Sequence, residues 1–252
     1  MEGHTVRTFD GDILNLRMQV LSMGGLAIDQ VQRAVQALTL GDEEGAHDVV
    51  TRNSQMIAYA RTIEEDIVGL IARRQPVASD LRAIMTVGRV ATDLERVGNA
   101  ARKIAKIALE LEGARGYAPL QRFYNDVRKM SRLALAMLRD ALDCFDRVDI
   151  EGALAVVHRD AEVDSEFQLA MRELVTYVME DQRHMGSAIQ TVFLLKALER
   201  VGDHARNIAA NVPRFARRDE TVPVPTPPLA SRAPDLGGGT EAQPDPRALG
   251  QG

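Results

Sequence analysis

The sequence predicts an all-α protein: two pseudo-symmetric three-helix bundles in tandem, followed by a disordered C-terminal tail. Three observations carry that prediction. Proline is absent before Pro76 and between Pro119 and Pro213, while seven of the ten prolines lie at Pro223 or beyond. Long helices need such proline-free interiors, because an internal proline removes a hydrogen bond and clashes with the preceding turn. Within those stretches the apolar residues recur in alternating steps of three and four, the period of one helix face. The pattern also repeats: Val20, Met23, Ala27, Val31, Ala34 and Leu38 are followed 107 residues later by Val127, Met130, Ala134, Leu138, Ala141 and Phe145.

The first helix is expected from about Phe9 to Leu40, with Ile13, Leu16, Val20, Met23, Ala27, Val31, Ala34 and Leu38 on its apolar stripe. Gly41-Asp42 ends it, and Asp42 suits the N-cap of the second helix because its side chain can accept from a free backbone N–H. That helix carries Val49, Met56, Ile63, Ile67 and Leu70 and stops near Gln75-Pro76, since the residue before proline avoids the helical region. The third starts near Ser79-Asp80 and breaks between Gly113 and Pro119. The second unit then replays the first. Asp149, Glu151, Gly152 and Ala153 stand where Asp42, Glu44, Gly45 and Ala46 stand, and Val156-Val157 follows as Val49-Val50 does. The offset falls to 104 before the last helix, expected from about Met185 to Ala216 with Pro213 kinking or fraying its end. The units are residues 1–115 and 116–218. Residues 219–252, rich in Pro, Gly, Ala and Thr, have little to bury and are expected to be disordered.

Composition narrows the function. Of 252 residues 45% are hydrophobic but only 4% aromatic, with no Trp, so the core is aliphatic. A net charge of −5 argues against a general nucleic-acid binder. Cys144 is the single cysteine, which excludes an intramolecular disulfide. No signal peptide is visible at the N-terminus, and no apolar run reaches the length of a membrane span. A soluble, cytoplasmic protein is the expectation.

The chemistry concentrates in Leu198-Glu199-Arg200-Val201-Gly202-Asp203-His204-Ala205-Arg206 and its imperfect copy Leu94-Glu95-Arg96-Val97-Gly98-Asn99-Ala100-Ala101-Arg102. Glu199 and Asp203 are one turn apart on the same side, flanking the stripe Leu194, Leu198, Val201, Ala205, Ile208 and Val212. Like charges at that spacing repel, and a cation between them removes the penalty. The alternative is a solvated acidic edge partnered by Arg200 and Arg206. Asp160 and Asp164 on the fifth helix form a second ladder of the same spacing, able to face the first across antiparallel helices. Clustered carboxylates suit hard cations such as Mg²⁺, Mn²⁺ or iron. In the first unit Asn53, Ile57 and Asn99 replace Asp160, Asp164 and Asp203, leaving Glu95 with Asp93 nearby, so a metal site there is expected to be weaker or absent. The candidate metal ligands are therefore Glu199, Asp203, Asp160, Asp164 and Glu95, with Mg, Mn, Fe and Zn not distinguished. Glu44-x-x-His47 has the spacing of ferritin-like di-iron bundles but lacks a partner, because Glu151 is followed at that spacing by Leu154. His204 reads as a partly exposed helical histidine, with a metal ligand or a phospho-accepting group as the sharper alternatives. Serine-nucleophile motifs, a phosphate-cradling loop and a zinc-type cluster are all missing, so no catalytic residue is assigned.

From His4 to about Val212 the chain resembles the PhoU family of bacterial phosphate signalling. The resemblance rests on His4-Thr5 followed by Phe9-Asp10, Gln75-Pro76-Val77-Ala78 with Asp80-Leu81-Arg82, Asp93-Leu94-Glu95-Arg96-Val97-Gly98, and Glu199-Arg200-Val201-Gly202-Asp203-His204-Ala205. It implies two three-helix bundles and a cytoplasmic homodimer with no enzymatic activity. It implies a negative regulator of the phosphate-starvation response and of phosphate uptake. Such a protein couples the phosphate ABC transporter, through its ATPase subunit, to a sensor histidine kinase, and is peripheral to the membrane through those partners only. It also implies metal clusters on acid-x-x-x-Asp motifs of the third and sixth helices. The sixth-helix motif is intact as Glu199 and Asp203, whereas the third reads Glu95 to Asn99. Two other classes compete: a metal store or metalloenzyme on a helical bundle, and a phosphotransfer module using His204 or His158.

Overall fold

The structure is a computed structural model that describes residues 2–113 and 123–216, with side chains for 11–111 and 123–216. These residues form six α-helices: α1 (Glu2–Leu40), α2 (Glu43–Arg74), α3 (Ala78–Gly113), α4 (Tyr124–Arg147), α5 (Ile150–Glu180) and α6 (Met185–Ala216). A single 3-10 turn, Gln182–His184, joins α5 to α6. The expected tail, 219–252, lies outside the described residues.

Both caps read from the sequence are made. The Asp42 carboxylate accepts from Gly45 N at 2.9 Å and the Asp149 carboxylate from Gly152 N at 3.0 Å. The preceding turns match as well, with Asp42 N donating to Ala37 O and Asp149 N to Cys144 O. Gly41 sits in the left-handed region at φ 68°, and Val148 occupies the equivalent place at φ 57°. A β-branched residue is strained there, so Val148 is a weak point that the first unit avoids with glycine. One boundary differs from expectation: the first helix begins seven residues earlier, at Glu2. The last helix has the expected bounds, Met185 to Ala216, with Pro213 inside it.

Packing follows the duplication. In the first unit α1, α2 and α3 all touch one another, as α4, α5 and α6 do in the second. The units join along two seams, α3 with α6 and α1 with α4. Asp93 faces His204 while Lys103 faces Phe193, so α3 and α6 run antiparallel. The expected stripes are the core: Val20, Met23, Ala27, Val31 and Ala34 of α1 and Leu194, Leu198, Val201, Ala205, Ile208 and Val212 of α6 are all fully buried. A smaller cluster of Phe123, Leu174 and Ala188 closes one end, where Tyr177 stacks on His184 with ring centroids 4.5 Å apart. None of the described helices is long and apolar enough to cross a membrane.

Candidate functional site

α6 carries Glu199 and Asp203, and α5 carries Asp160 and Asp164. The α5–α6 seam brings all four close enough to act on one another. Glu199 is only 1% exposed, which excludes a solvated acidic edge at this residue. Its Oε1 accepts from Lys196 Nζ at 2.6 Å. Asp160 is buried as well, with Arg206 Nη1 at 3.4 Å from its Oδ2. Burial pushes the Asp160 carboxyl above its ordinary range. Asp203, Asp164 and Glu199 push the same way, against Arg206. Burial also raises Asp203, with Glu199 and Asp164 adding to it and Arg206 and Lys196 opposing. Glu95 is half-buried on α3 in the other unit and is not among the charges acting on Asp160 or Asp203.

The first unit shows what the same place becomes without acids. Asn53 Nδ2 donates to Asn99 Oδ1 at 3.0 Å, at the positions equivalent to Asp160 and Asp203. A neutral amide pair thus replaces two carboxylates that repel. The donor set of the second unit fits a hard cation in chemistry and charge. As the side chains stand, however, no three His, Cys, Asp or Glu among the described residues converge closely enough to hold a metal ion. Lys196 and Arg206 supply the counter-charge instead, and ligation requires Glu199 and Asp160 to exchange those partners.

The amide pair suggests a test. In chelator, Asp160→Asn/Asp203→Asn is expected to raise stability at pH 7 by about 1 kcal/mol, because one neutral hydrogen bond replaces desolvated, mutually repelling charges. Both folded carboxyls are raised, so the native state holds protons that the unfolded chain has released. Their contribution is complete below the unfolded carboxylate range and is lost as pH rises through the raised folded values. The gain in the double variant should therefore shrink as pH falls toward 4, followed by thermal melts across that window. A variant less stable than wild type at pH 7 would show that the Arg206 pairing outweighs the repulsion.

His204 is placed otherwise than expected. It is 7% exposed, and its Nδ1 lies 3.0 Å from Asp93 Oδ1, itself buried, with Asn207 Nδ2 at 3.5 Å. This polar contact crosses between the units. A histidine so enclosed is unsuited to accept a phosphoryl group from a second protein, which removes the phosphotransfer reading for His204. His158, Glu44 and His47 are exposed. The sequence names Arg206 as a counter-charge, and the structure sets it against Asp160 and Asp203; the roles of Asp93, Asn207 and Lys196 are not read from it. One signal was available for Asp93: Thr86, Asp93 and Ala100 stand seven apart beside the main stripe, marking a second buried face of α3.

The comparisons with known proteins cover both units. The PhoU domain model matches residues 20–108 and again 127–212. The phosphate-specific transport system accessory protein PhoU homolog of Pseudomonas putida is 41% identical over 210 residues, 82% of this chain and 79% of that protein. The accessory protein PhoU of Escherichia coli K12 is 35% identical over 205 residues, 81% of this chain and 83% of that protein. Among solved structures, PhoU from Pseudomonas aeruginosa aligns with a TM-score of 0.79 and 42% identity, covering 83% of this chain and 99% of that one. The phosphate transport system regulatory protein PhoU from Streptococcus pneumoniae aligns at 0.75 with 25% identity, covering 86% and 100%. The duplicated three-helix unit, its two Glu-Arg-x-Gly copies and these alignments place the chain in the PhoU family.

Proposed function

We propose that this protein is a regulatory adaptor of phosphate homeostasis that acts by contact rather than catalysis. It restrains the phosphate ABC transporter through the ATPase subunit and holds down the starvation response through a sensor histidine kinase. It works in the cytoplasm as a homodimer, reaching the membrane through those partners only. The observation that carries this reading is the likeness over both units to proteins named as accessory or regulatory parts of phosphate transport. The test is co-purification from cells with and without the transporter, alongside phosphate uptake in a deletion strain. The transporter ATPase should co-purify, and uptake should rise on deletion. Unchanged uptake with no transporter subunit recovered would sink the reading.

A second reading, a metal-binding bundle acting as a store or metalloenzyme, draws on the α5–α6 seam. Asp160, Asp164, Glu199 and Asp203 would hold a divalent or iron-type ion, which would neutralise their repulsion. Glu95, in the other unit, would at most hold a separate, weaker ion. Elemental analysis should find metal in wild type and none in Asp160→Asn/Asp203→Asn, with a melt that chelator lowers in wild type alone. Equal metal in both proteins would move the site elsewhere.

A further inference from the structure

We propose that the outer face of α3, with Arg200 of α6 beside it, is a docking surface for an acidic helix of a partner protein laid lengthwise along α3. The inference does not depend on the phosphate reading. Arg82, Arg89, Arg96 and Lys103 stand seven apart and are all exposed. Seven helical residues rise about 10.5 Å and fall about 20° short of two full turns, so the row spans roughly 31 Å and winds gently, by about 60°, around α3. The antiparallel register that sets Asp93 against His204 brings Arg200 alongside Arg96.

Two features separate this row from an ordinary solvated face. The first is that four unpaired guanidinium groups gather on it. Some arginines elsewhere are neutralised within the fold, as Arg33 is by Asp29, Arg52 by Asp48, Arg61 by Glu65, Arg74 by Asp12, Arg147 by Asp143 and Arg159 by Asp140, and others stand singly on the surface. Among the described residues Arg82, Arg89, Arg96 and Arg200 make no such pair, in a chain whose net charge is −5. The second is what lies at its ends. Leu81 and Met85 are 37% and 46% exposed at one end, and Phe193 and Ile189 are 46% and 47% exposed at the other, with Lys103 Nζ over the Phe193 ring at 4.5 Å. The face is a basic line bounded by apolar side chains.

That shape selects a rod over a plane. A flat anionic bilayer on this face would also meet the half-buried carboxylates of Glu95 and Asp203, which flank the line. A helix about 10 Å across can follow the cations and avoid those acids. Carboxylates seven apart on such a helix repeat at the same rise as the cations, so several pairs form in one register. Its apolar residues then meet Leu81 and Met85 or Ile189 and Phe193. Opposed charge of this kind steers encounter and sets orientation.

The test uses the full chain and defined probes. One is a synthetic helical peptide of about 28 residues, long enough to cover the row, with Glu at seven-residue spacing and Leu near both ends. The others are its Lys counterpart, phosphatidylserine-containing vesicles and a DNA duplex. The Glu peptide should bind in fluorescence anisotropy and weaken as salt rises. Arg89→Glu/Arg96→Glu should weaken it about tenfold or more and gain affinity for the Lys peptide. Arg89→Gln/Arg96→Gln should fall between, and matching melts should show that every variant is folded. A Glu peptide that fails to bind, or binds wild type and reversed variant alike, would overturn the proposal. Vesicles or duplex binding as tightly as the peptide through the same arginines would also overturn it, in favour of a lipid or nucleic-acid surface.

Discussion

Asp93→Ala is expected to destabilise the protein by about 3 kcal/mol, because it strands a buried polar partner. For a chain of this size that is a fall in melting temperature on the order of 10 °C. The carboxylate sits on the α3–α6 seam between His204 Nδ1 at 3.0 Å and Asn207 Nδ2 at 3.5 Å, and both Asp93 and His204 are 7% exposed. Without it the imidazole N–H has no acceptor and little access to water. His204→Ala should cost a similar amount by leaving the carboxylate buried beside a void. The double variant should lose less than the sum, with a coupling of roughly 1–3 kcal/mol. Asp93→Asn, which keeps an acceptor oxygen, should be milder than Asp93→Ala. Denaturant unfolding of the four variants measures the cycle. Additive losses below about 1 kcal/mol each, the size expected of a solvated contact, would show that water already satisfies both groups.

This contact marks where sequence reading stopped. The helices were legible because periodicity and punctuation act locally: Asp42 and Asp149 cap as expected, and the stripe from Leu194 to Val212 is buried throughout. The duplication was legible because both copies keep the same apolar register. The α5–α6 carboxylates were legible as two ladders of like charge. Arg206 was legible as a counter-charge, but Lys196 and the reach of Arg206 across to Asp160 were not, because spacing does not set the direction of a long side chain. One helix alone shows one stripe, so the sequence of α6 makes His204 a partly exposed residue. α6 is covered by α3, α4 and α5 together, which leaves only a narrow strip around Phe193, Lys196 and Arg200 in water. Burial by three neighbours is a tertiary fact that no single-helix pattern carries.

Gly98→Leu is expected to be the most damaging single change in either Glu-Arg-x-Gly copy. A Cβ at Gly98 would stand 2.8 Å from Met56 Cγ, 3.3 Å from Met56 Cβ and 3.2 Å from Asn53 Oδ1. The crowded atoms lie near the α2 backbone and not at the far end of a flexible chain, so rotation of Met56 alone gives little relief. A leucine there must push α2 away and break the Asn53–Asn99 hydrogen bond, at a cost of about 3 kcal/mol or more. Gly202 is the equivalent residue, and its nearest neighbour is Val163 Cγ1 at 3.3 Å. One methyl group fits there with a small adjustment, and alanine is worth about 1 kcal/mol over glycine inside a helix. Gly202→Ala should therefore be close to neutral while Gly98→Ala destabilises, although both glycines occupy the same place in the duplicated unit. Gly202→Leu should still cost about 1–3 kcal/mol, since stiff Val163 cannot yield to a whole side chain. Melts of the four variants give the order directly. A neutral or stabilising Gly98→Leu would mean that α2 slides freely over α3. Equal losses for the two alanine variants would mean that helix propensity, and not the distance to the neighbouring helix, sets the response.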